Sequence, residues 1–84
     1  MQPIQDLLNR IRWDPDFGHG RFELAFLDHM AQELVRLPWE TVSFLPGDHY
    51  FFHYLDADGV AHSVPYHRIR AVYKNGVPIW QRRH

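Results

Sequence analysis

The sequence predicts a small α+β domain in which one N-terminal amphipathic helix packs on a twisted antiparallel sheet built from three hairpins, a sheet that can curl towards a barrel. Three observations predict this fold. Apolar residues near the start follow helical spacing, apolar and polar residues alternate further on, and the turn-forming pairs Asp58-Gly59 and Asn75-Gly76 separate later stretches. Because 84 residues suit one domain, we expect residues 1–84 to form a single unit.

The predicted helix covers about residues 4–12. Its apolar residues lie three or four positions apart and form one stripe, made of Ile4, Leu7, Leu8 and Ile11. Pro3 suits the first turn, where its missing N–H would have no partner in any case. Pro15 disfavours helical backbone at Asp14, so the helix is expected to end near Trp13.

Three hairpins are expected to follow, over about residues 21–37, 49–64 and 70–82. The last of them turns at Asn75-Gly76, the favoured pair for a type I′ turn. Pro78 cannot donate a hydrogen bond to a neighbouring strand, so it predicts a strand at a sheet edge.

The first two hairpins end in a similar short motif. In residues 37–42 and again in residues 64–69, an aliphatic residue, a proline and an aromatic residue are followed by two variable positions and another aliphatic residue. Each motif is expected to form a short turn, or one helical turn, that redirects the chain and places its aromatic and aliphatic side chains on the core.

The charges are unevenly distributed along the chain. All ten acidic residues lie at or before Asp58, where four arginines oppose them, whereas the remaining 26 residues contain five Lys and Arg residues and no acid. This cationic final third is either a solvated basic face or a surface that binds phosphate groups.

Composition and spacing exclude several functional classes. The chain has no cysteine, which excludes disulfides and thiolate metal sites, and it has no Gly-x-Ser-x-Gly elbow. On a strand, His49 and His53 would lie roughly 13 Å apart, too far to share an ion. We therefore expect no catalytic residue, metal or cofactor.

No apolar stretch reaches membrane-spanning length and the first residues do not resemble a signal peptide. A cytoplasmic protein that does not enter a membrane is therefore expected.

Several residues in the cationic third suit phosphate recognition. Guanidinium groups can bind phosphate oxygens bidentately, and an imidazole titrates near neutral pH. Trp80 and Arg82 would share a strand face, where a stacking ring beside a cation suits single-stranded nucleic acid, although Trp80 could equally be a core ring. The candidates from this segment are His67, Arg68, Arg70, Trp80 and Arg82.

The same ambiguity applies at the end of the helix, where Arg12, Trp13 and Asp14 lie together. Asp14 is either a ligand-binding residue or a structural partner in a turn or salt bridge.

The segments 11–14, 24–37, 64–70 and 77–82 together resemble the RNA cyclic-group end recognition domain family, and the resemblance covers nearly the whole chain in order. The more specific motifs are Arg-Trp-Asp at residues 12–14 and Pro-Tyr-His-Arg-Ile-Arg at residues 65–70. Carried over by position, the resemblance implies ligand-binding roles for Arg12, Asp14, His67, Arg68 and Arg82, with Trp13 and Trp80 as stacking or packing rings. Residues 41–48 match no pattern in that family.

The resemblance implies a module that binds RNA 3′ ends bearing a terminal phosphate or 2′,3′-cyclic phosphate and does not turn them over. It also implies partnership with an RNA ligase, a nucleotidyltransferase or a phosphoesterase in RNA repair or processing. Two alternatives stay open: an adaptor that docks on an RNA-processing enzyme, and a small cyclic phosphodiesterase that uses His67.

Overall fold

A computed structural model describes residues 2–82, which contain one helix, two single-turn 3-10 helices and seven strands. In chain order these are helix α1 (Ile4–Trp13), β1 (Phe22–Asp28), β2 (Glu33–Pro38), the first 3-10 turn (Trp39–Thr41), β3 (Val42–Ser43), β4 (Phe51–Leu55), β5 (Ala61–Pro65), the second 3-10 turn (Tyr66–Arg68), β6 (Ile69–Lys74) and β7 (Val77–Gln81).

The strands form two antiparallel sheets, one in the order β2-β1-β6-β7 and one in the order β3-β4-β5. The α+β class with one helix on antiparallel hairpins is therefore confirmed. Within residues 2–82 the strands divide between two sheets and do not close into a barrel. They divide because the chain changes direction after β2 and again after β5.

Both changes of direction are made by a proline followed by a 3-10 turn. Pro38 and Pro65 have nearly the same backbone angles, with φ of −62° and −63° and ψ of 143° in both. The expectation of one helical turn after each proline is confirmed.

The strand that follows each 3-10 turn pairs with the opposite hairpin. β3 leaves the first hairpin and pairs with β4, with Val42 opposite Tyr54. β6 leaves the second hairpin and pairs with β1, with Ile69 opposite Phe26. The two hairpin motifs thus exchange their third strands, and β7 extends the first sheet as an edge strand, as Pro78 predicts.

The core lies between the two sheets and the helix. α1 contributes Leu7, Leu8 and Ile11, as its apolar stripe predicts. From the second sheet, the fully buried Phe52 meets Phe26 of the first sheet edge to face, with their ring centroids 5.6 Å apart.

Trp80 also belongs to this core. Its side chain is only 6% exposed, and its Nε1 donates a hydrogen bond to the carbonyl oxygen of Gln2 at 2.7 Å. The hydrogen bond links the segment before α1 to β7, and of the two interpretations left open by the sequence the burial favours a core ring over a stacking platform.

Candidate functional site

His67 and Arg82 line one surface groove, which we call the Arg82 groove. Its volume is about 470 Å³, and its lining consists of Pro3, Ile4, Gln5, His49, Tyr50, Phe51, Pro65, Tyr66, His67 and Arg82. The groove thus lies between the first turn of α1, the loop before β4, the second 3-10 turn and the end of β7. Among residues 2–82, none of the lining residues is acidic, and the nearby Asp48 carboxylate binds the backbone N–H groups of Tyr50 and Phe51.

The backbone positions Arg82. Its N–H donates to the carbonyl oxygen of Arg70 at 2.8 Å and its Nε donates to that of Ile69 at 3.0 Å. Its guanidinium carbon lies 5.1 Å from the ring centroid of Trp80. Within residues 2–82 it has no carboxylate partner, so the charge of a preorganised guanidinium faces the groove.

Arg82 also lines a neighbouring groove of about 410 Å³, together with Arg70, Tyr73, Gln81 and three apolar residues. This lining contains no acid either. Arg70 donates from Nη1 to the carbonyl oxygen of His67 at 2.9 Å, while its buried Nε has no hydrogen-bond partner within residues 2–82. The structure therefore brings together His67, Arg70 and Arg82 from two separate chain segments.

Arg68 lies apart from these three residues. It lines a different groove, which also contains Asp28 and His62. Neighbouring residues of a 3-10 turn point about 120° apart, so His67 and Arg68 face different sides of the molecule although they are adjacent in sequence. Arg68 thus shares its groove with the carboxylate of Asp28, whereas none of the lining residues described around Arg82 is acidic.

Arg12 and Trp13 lie at the C-terminal end of α1. The Arg12 guanidinium carbon is 4.8 Å from the ring centroids of both Trp13 and Phe44, and within residues 2–82 it forms no ion pair. Trp13 is 71% exposed. A stacked, unneutralised cation beside an open indole ring is thus available at this end of the helix.

Asp14 has a structural role. Its Oδ1 accepts hydrogen bonds from the backbone N–H groups of Asp16 and Phe17, and its Oδ2 lies 3.9 Å from Nε of Arg10. Of the two interpretations left open by the sequence, the structure favours the turn and salt-bridge partner over a ligand-binding residue.

The lining residues that the sequence analysis did not select include His49, Tyr50 and Tyr66. Tyr50 is 75% exposed and offers a free aromatic face. Burial raises the pKa of the Tyr66 phenol, with a smaller opposing effect from Arg12, so this hydroxyl is protonated at neutral pH and can donate a hydrogen bond.

The loop that carries His49 and Tyr50 is ordered by Asp48. Its Oδ1 accepts hydrogen bonds from the N–H groups of Tyr50 and Phe51, both at 3.0 Å, and its Oδ2 lies 3.1 Å from Nε2 of His53. An Asp just before a strand that binds the next backbone N–H groups is a common turn signal. This signal gives residues 41–48 a role that the family resemblance did not.

The bond to His53 continues to Ser63, whose Oγ lies 2.9 Å from Nδ1 of the same ring. This Ser-His-Asp chain resembles a hydrolase triad only in composition. His53 lines one groove and Ser63 lines another. The chain of hydrogen bonds holds the loop against β4 and β5.

Asp48 is expected to make the stability of the protein depend on acid pH. The hydrogen bond from Tyr50 N–H, supported by those from Phe51 and His53, lowers the pKa of Asp48 below its ordinary value of 3.8. A lowered folded-state pKa stabilises the fold above pH 3.8 and loses that effect as the pH falls through the folded value.

Denaturant unfolding of the wild type and of Asp48→Asn between pH 2 and pH 7 tests this. The free energy of unfolding should favour the wild type by a constant amount near neutral pH, and the difference should shrink below pH 3.8, the ordinary value. Asn retains a side-chain oxygen for the loop N–H groups, so the comparison isolates the charge. If the wild type keeps its larger free energy of unfolding at pH 2, the Asp48 carboxylate is not the source of the pH dependence.

Within residues 2–82, no group of three or more His, Asp or Glu side chains is arranged to hold a metal ion. In the same part of the chain, no helix is both long and apolar enough to span a membrane.

The comparisons with known proteins identify the family. The model of the MJ1316 RNA cyclic group end recognition domain matches residues 1–82, which include α1 and all seven strands. No curated protein and no solved structure matches the chain. The family match agrees with the resemblance carried by residues 12–14 and 65–70, and it covers the residues that form the Arg82 groove. The chain therefore belongs to the MJ1316 RNA cyclic group end recognition domain family.

Proposed function

We propose that the protein binds the 3′ end of an RNA strand that carries a 2′,3′-cyclic phosphate, and that the Arg82 groove holds this end without turning it over. One observation carries the proposal: a guanidinium, two imidazoles and two tyrosines line a groove to which residues 2–82 contribute no acidic side chain. Family membership supplies the ligand class, because the family is described by recognition of RNA cyclic group ends.

The residues of the groove suit distinct parts of this ligand. Arg82 pairs with the non-bridging phosphate oxygens, a contact for which its planar fork is suited. His67 donates a hydrogen bond to a ribose or bridging oxygen. Tyr50 stacks on the terminal base, since an exposed aromatic ring is the usual platform for an unpaired RNA base.

Preference for the cyclic end depends on shape and not on charge. A cyclic phosphate carries one negative charge and an open monoester carries up to two, so a cationic groove alone favours the open end. Pro3, Ile4, Phe51 and Pro65 form the apolar part of the lining. They pack against the compact fused ring, whereas the extra charged oxygen of an open phosphate would be desolvated there.

RNA repair or processing is the proposed context. A module that binds such ends without turnover can present them to an enzyme acting in trans. The proposed partners are an RNA ligase, a nucleotidyltransferase or a phosphoesterase, because all three act on RNA termini.

A binding titration tests the proposal. One oligoribonucleotide sequence, ending in a 3′-hydroxyl, a 3′-phosphate or a 2′,3′-cyclic phosphate, is titrated at two salt concentrations. The cyclic end should bind most tightly, and the logarithm of its binding constant should fall as the logarithm of the salt concentration rises. Equal affinity for all three ends would contradict end recognition. A complete lack of salt-dependent RNA binding would favour the adaptor function, and conversion of the cyclic end to an open phosphate would favour the phosphodiesterase.

A further inference from the structure

We infer that Arg12 and Trp13 form a second subsite, which holds the penultimate nucleotide of the bound strand. The protein would then select single-stranded 3′ ends of at least two nucleotides. This inference rests on the proposed function, because it needs the terminal nucleotide in the Arg82 groove.

The first argument is the solvent exposure of the Trp13 ring. It is the last residue of α1, and it is 71% exposed while most other aromatic rings of the chain pack on the core. Leaving an indole ring in water forgoes the stabilisation that burial would supply. An exposed indole with a cation against it is the combination on which unpaired bases stack in single-strand binding proteins.

The second argument is the position of the Arg12 guanidinium and its lack of an ion pair within residues 2–82. Its guanidinium is held 4.8 Å from the ring centroids of both Trp13 and Phe44, so its position is set without an ion pair. Asp14 accepts hydrogen bonds from loop N–H groups, and Asp48 contacts loop N–H groups and His53. Within residues 2–82 no carboxylate forms an ion pair with Arg12, so the cation is available to bind a phosphate.

The third argument is continuity with the Arg82 groove. Tyr66 lines that groove, and its ring centroid lies 6.4 Å from that of Phe44, the ring against which Arg12 packs. The charge of Arg12 also acts on the Tyr66 phenol, whose pKa is raised by burial, lowered by Arg12 and raised by Asp48, in that order of size. The subsite and the groove thus share one wall.

The geometry of α1 gives the distance between the Arg82 groove and the second subsite. Gln5 lines the groove, and Arg12 follows seven residues later, which is close to two full turns and puts both residues on one face roughly 10 Å apart along the axis. A strand that leaves the groove along this face passes Tyr66 and reaches Arg12 and Trp13.

The subsite also limits the class of RNA that can bind. A base can stack on Trp13 only if it is unpaired, and stacking is tolerant of base identity. The ligand is therefore a single-stranded overhang, whose penultimate base can be of any type.

The test compares adenosine 2′,3′-cyclic phosphate with cyclic-ended di- and triadenylates at one salt concentration. The dinucleotide is expected to bind about tenfold more tightly than the mononucleotide, the scale of one stacked base, and the third nucleotide should add little. Trp13→Ala and Arg12→Ala should each reduce dinucleotide affinity towards that of the mononucleotide. Arg10→Ala is the matched control, since Arg10 lies on the same helix but contacts Phe17 and Asp14, and it should preserve the tenfold gain.

The outcomes separate the inference from the proposed function. If the mononucleotide binds and the dinucleotide binds no better, the second subsite is wrong and end recognition stands. If the Arg12 and Trp13 variants weaken the mononucleotide as much as the dinucleotide, these residues belong to the terminal site and the inference is overturned. If none of the three cyclic-ended ligands binds, the proposed function and the inference both fail.

Discussion

Replacing Arg82 with alanine is expected to weaken binding of a cyclic-ended oligoribonucleotide by about 10- to 100-fold, the scale of a lost hydrogen bond to a charged group. Among residues 2–82, the guanidinium is the only side chain with a permanent positive charge in the lining of its groove. Removing it takes that charge away from the phosphate and leaves the imidazole and hydroxyl donors of the described lining. Fluorescence anisotropy titration of the folded variant measures the change.

Two further variants test whether the loss of affinity is specific to the guanidinium of Arg82. Arg82→Lys keeps the charge but loses the planar fork and the fixed Nε contact to Ile69, so it should recover only part of the affinity. Arg68→Ala removes the same charge from the groove that contains Asp28, and it should change the affinity less than threefold. If Arg68→Ala weakens binding as much as Arg82→Ala does, the ligand does not bind where we propose.

Replacing Phe52 with alanine is expected to lower the free energy of unfolding by about 3–5 kcal/mol, the usual cost of removing a fully buried phenyl ring. Phe52 is 0% exposed and packs edge to face on Phe26 across the two sheets, so the cavity opens where the sheets meet. This loss is a large share of the total stability of a small domain. Urea denaturation followed by tryptophan fluorescence measures it.

Leu55→Ala is the control for that experiment. Leu55 lies on the same strand as Phe52 but is 64% exposed, so its truncation should cost less than about 1 kcal/mol. A cost for Phe52→Ala as small as that of the control would mean that the two sheets do not share a core.

The elements that the sequence predicted well are those with local causes. The stripe of α1, the turn at Asn75-Gly76 and the edge position of Pro78 each follow from the chemistry of a few neighbouring residues. Asn75 and Gly76 have φ of 52° and 82°, the positive values that a type I′ turn requires. The two proline motifs likewise form the expected 3-10 turns.

The division into two sheets could not be predicted in this way. Local alternation shows that a segment is a strand but does not show which strand it pairs with. β6 pairs with β1, which lies more than forty residues earlier in the chain. No turn motif in the sequence predicts a pairing between strands that far apart. The burial of Trp80 is a consequence of the same distant pairing, because β7 enters the first sheet beside β6.

The candidate site was partly predictable for the same reason. Residue type and the absence of acids selected His67, Arg70 and Arg82, which the structure brings together. Sequence proximity also selected Arg68, which the 3-10 turn points elsewhere. Tyr50 and Tyr66 were missed because an aromatic residue in a sequence does not show whether its ring packs inside or lines a groove.

The exchange of third strands between the two hairpin motifs has a mechanical consequence. Neither half of the chain contains all the strands of a sheet, so neither half has a complete folding unit and both must unfold in one cooperative transition. The same exchange between two identical half-length polypeptides would build a symmetric homodimer, the assembly that isologous contacts favour. The two motifs differ at one position that bears on the groove, because His67 of the second motif corresponds to Glu40 of the first.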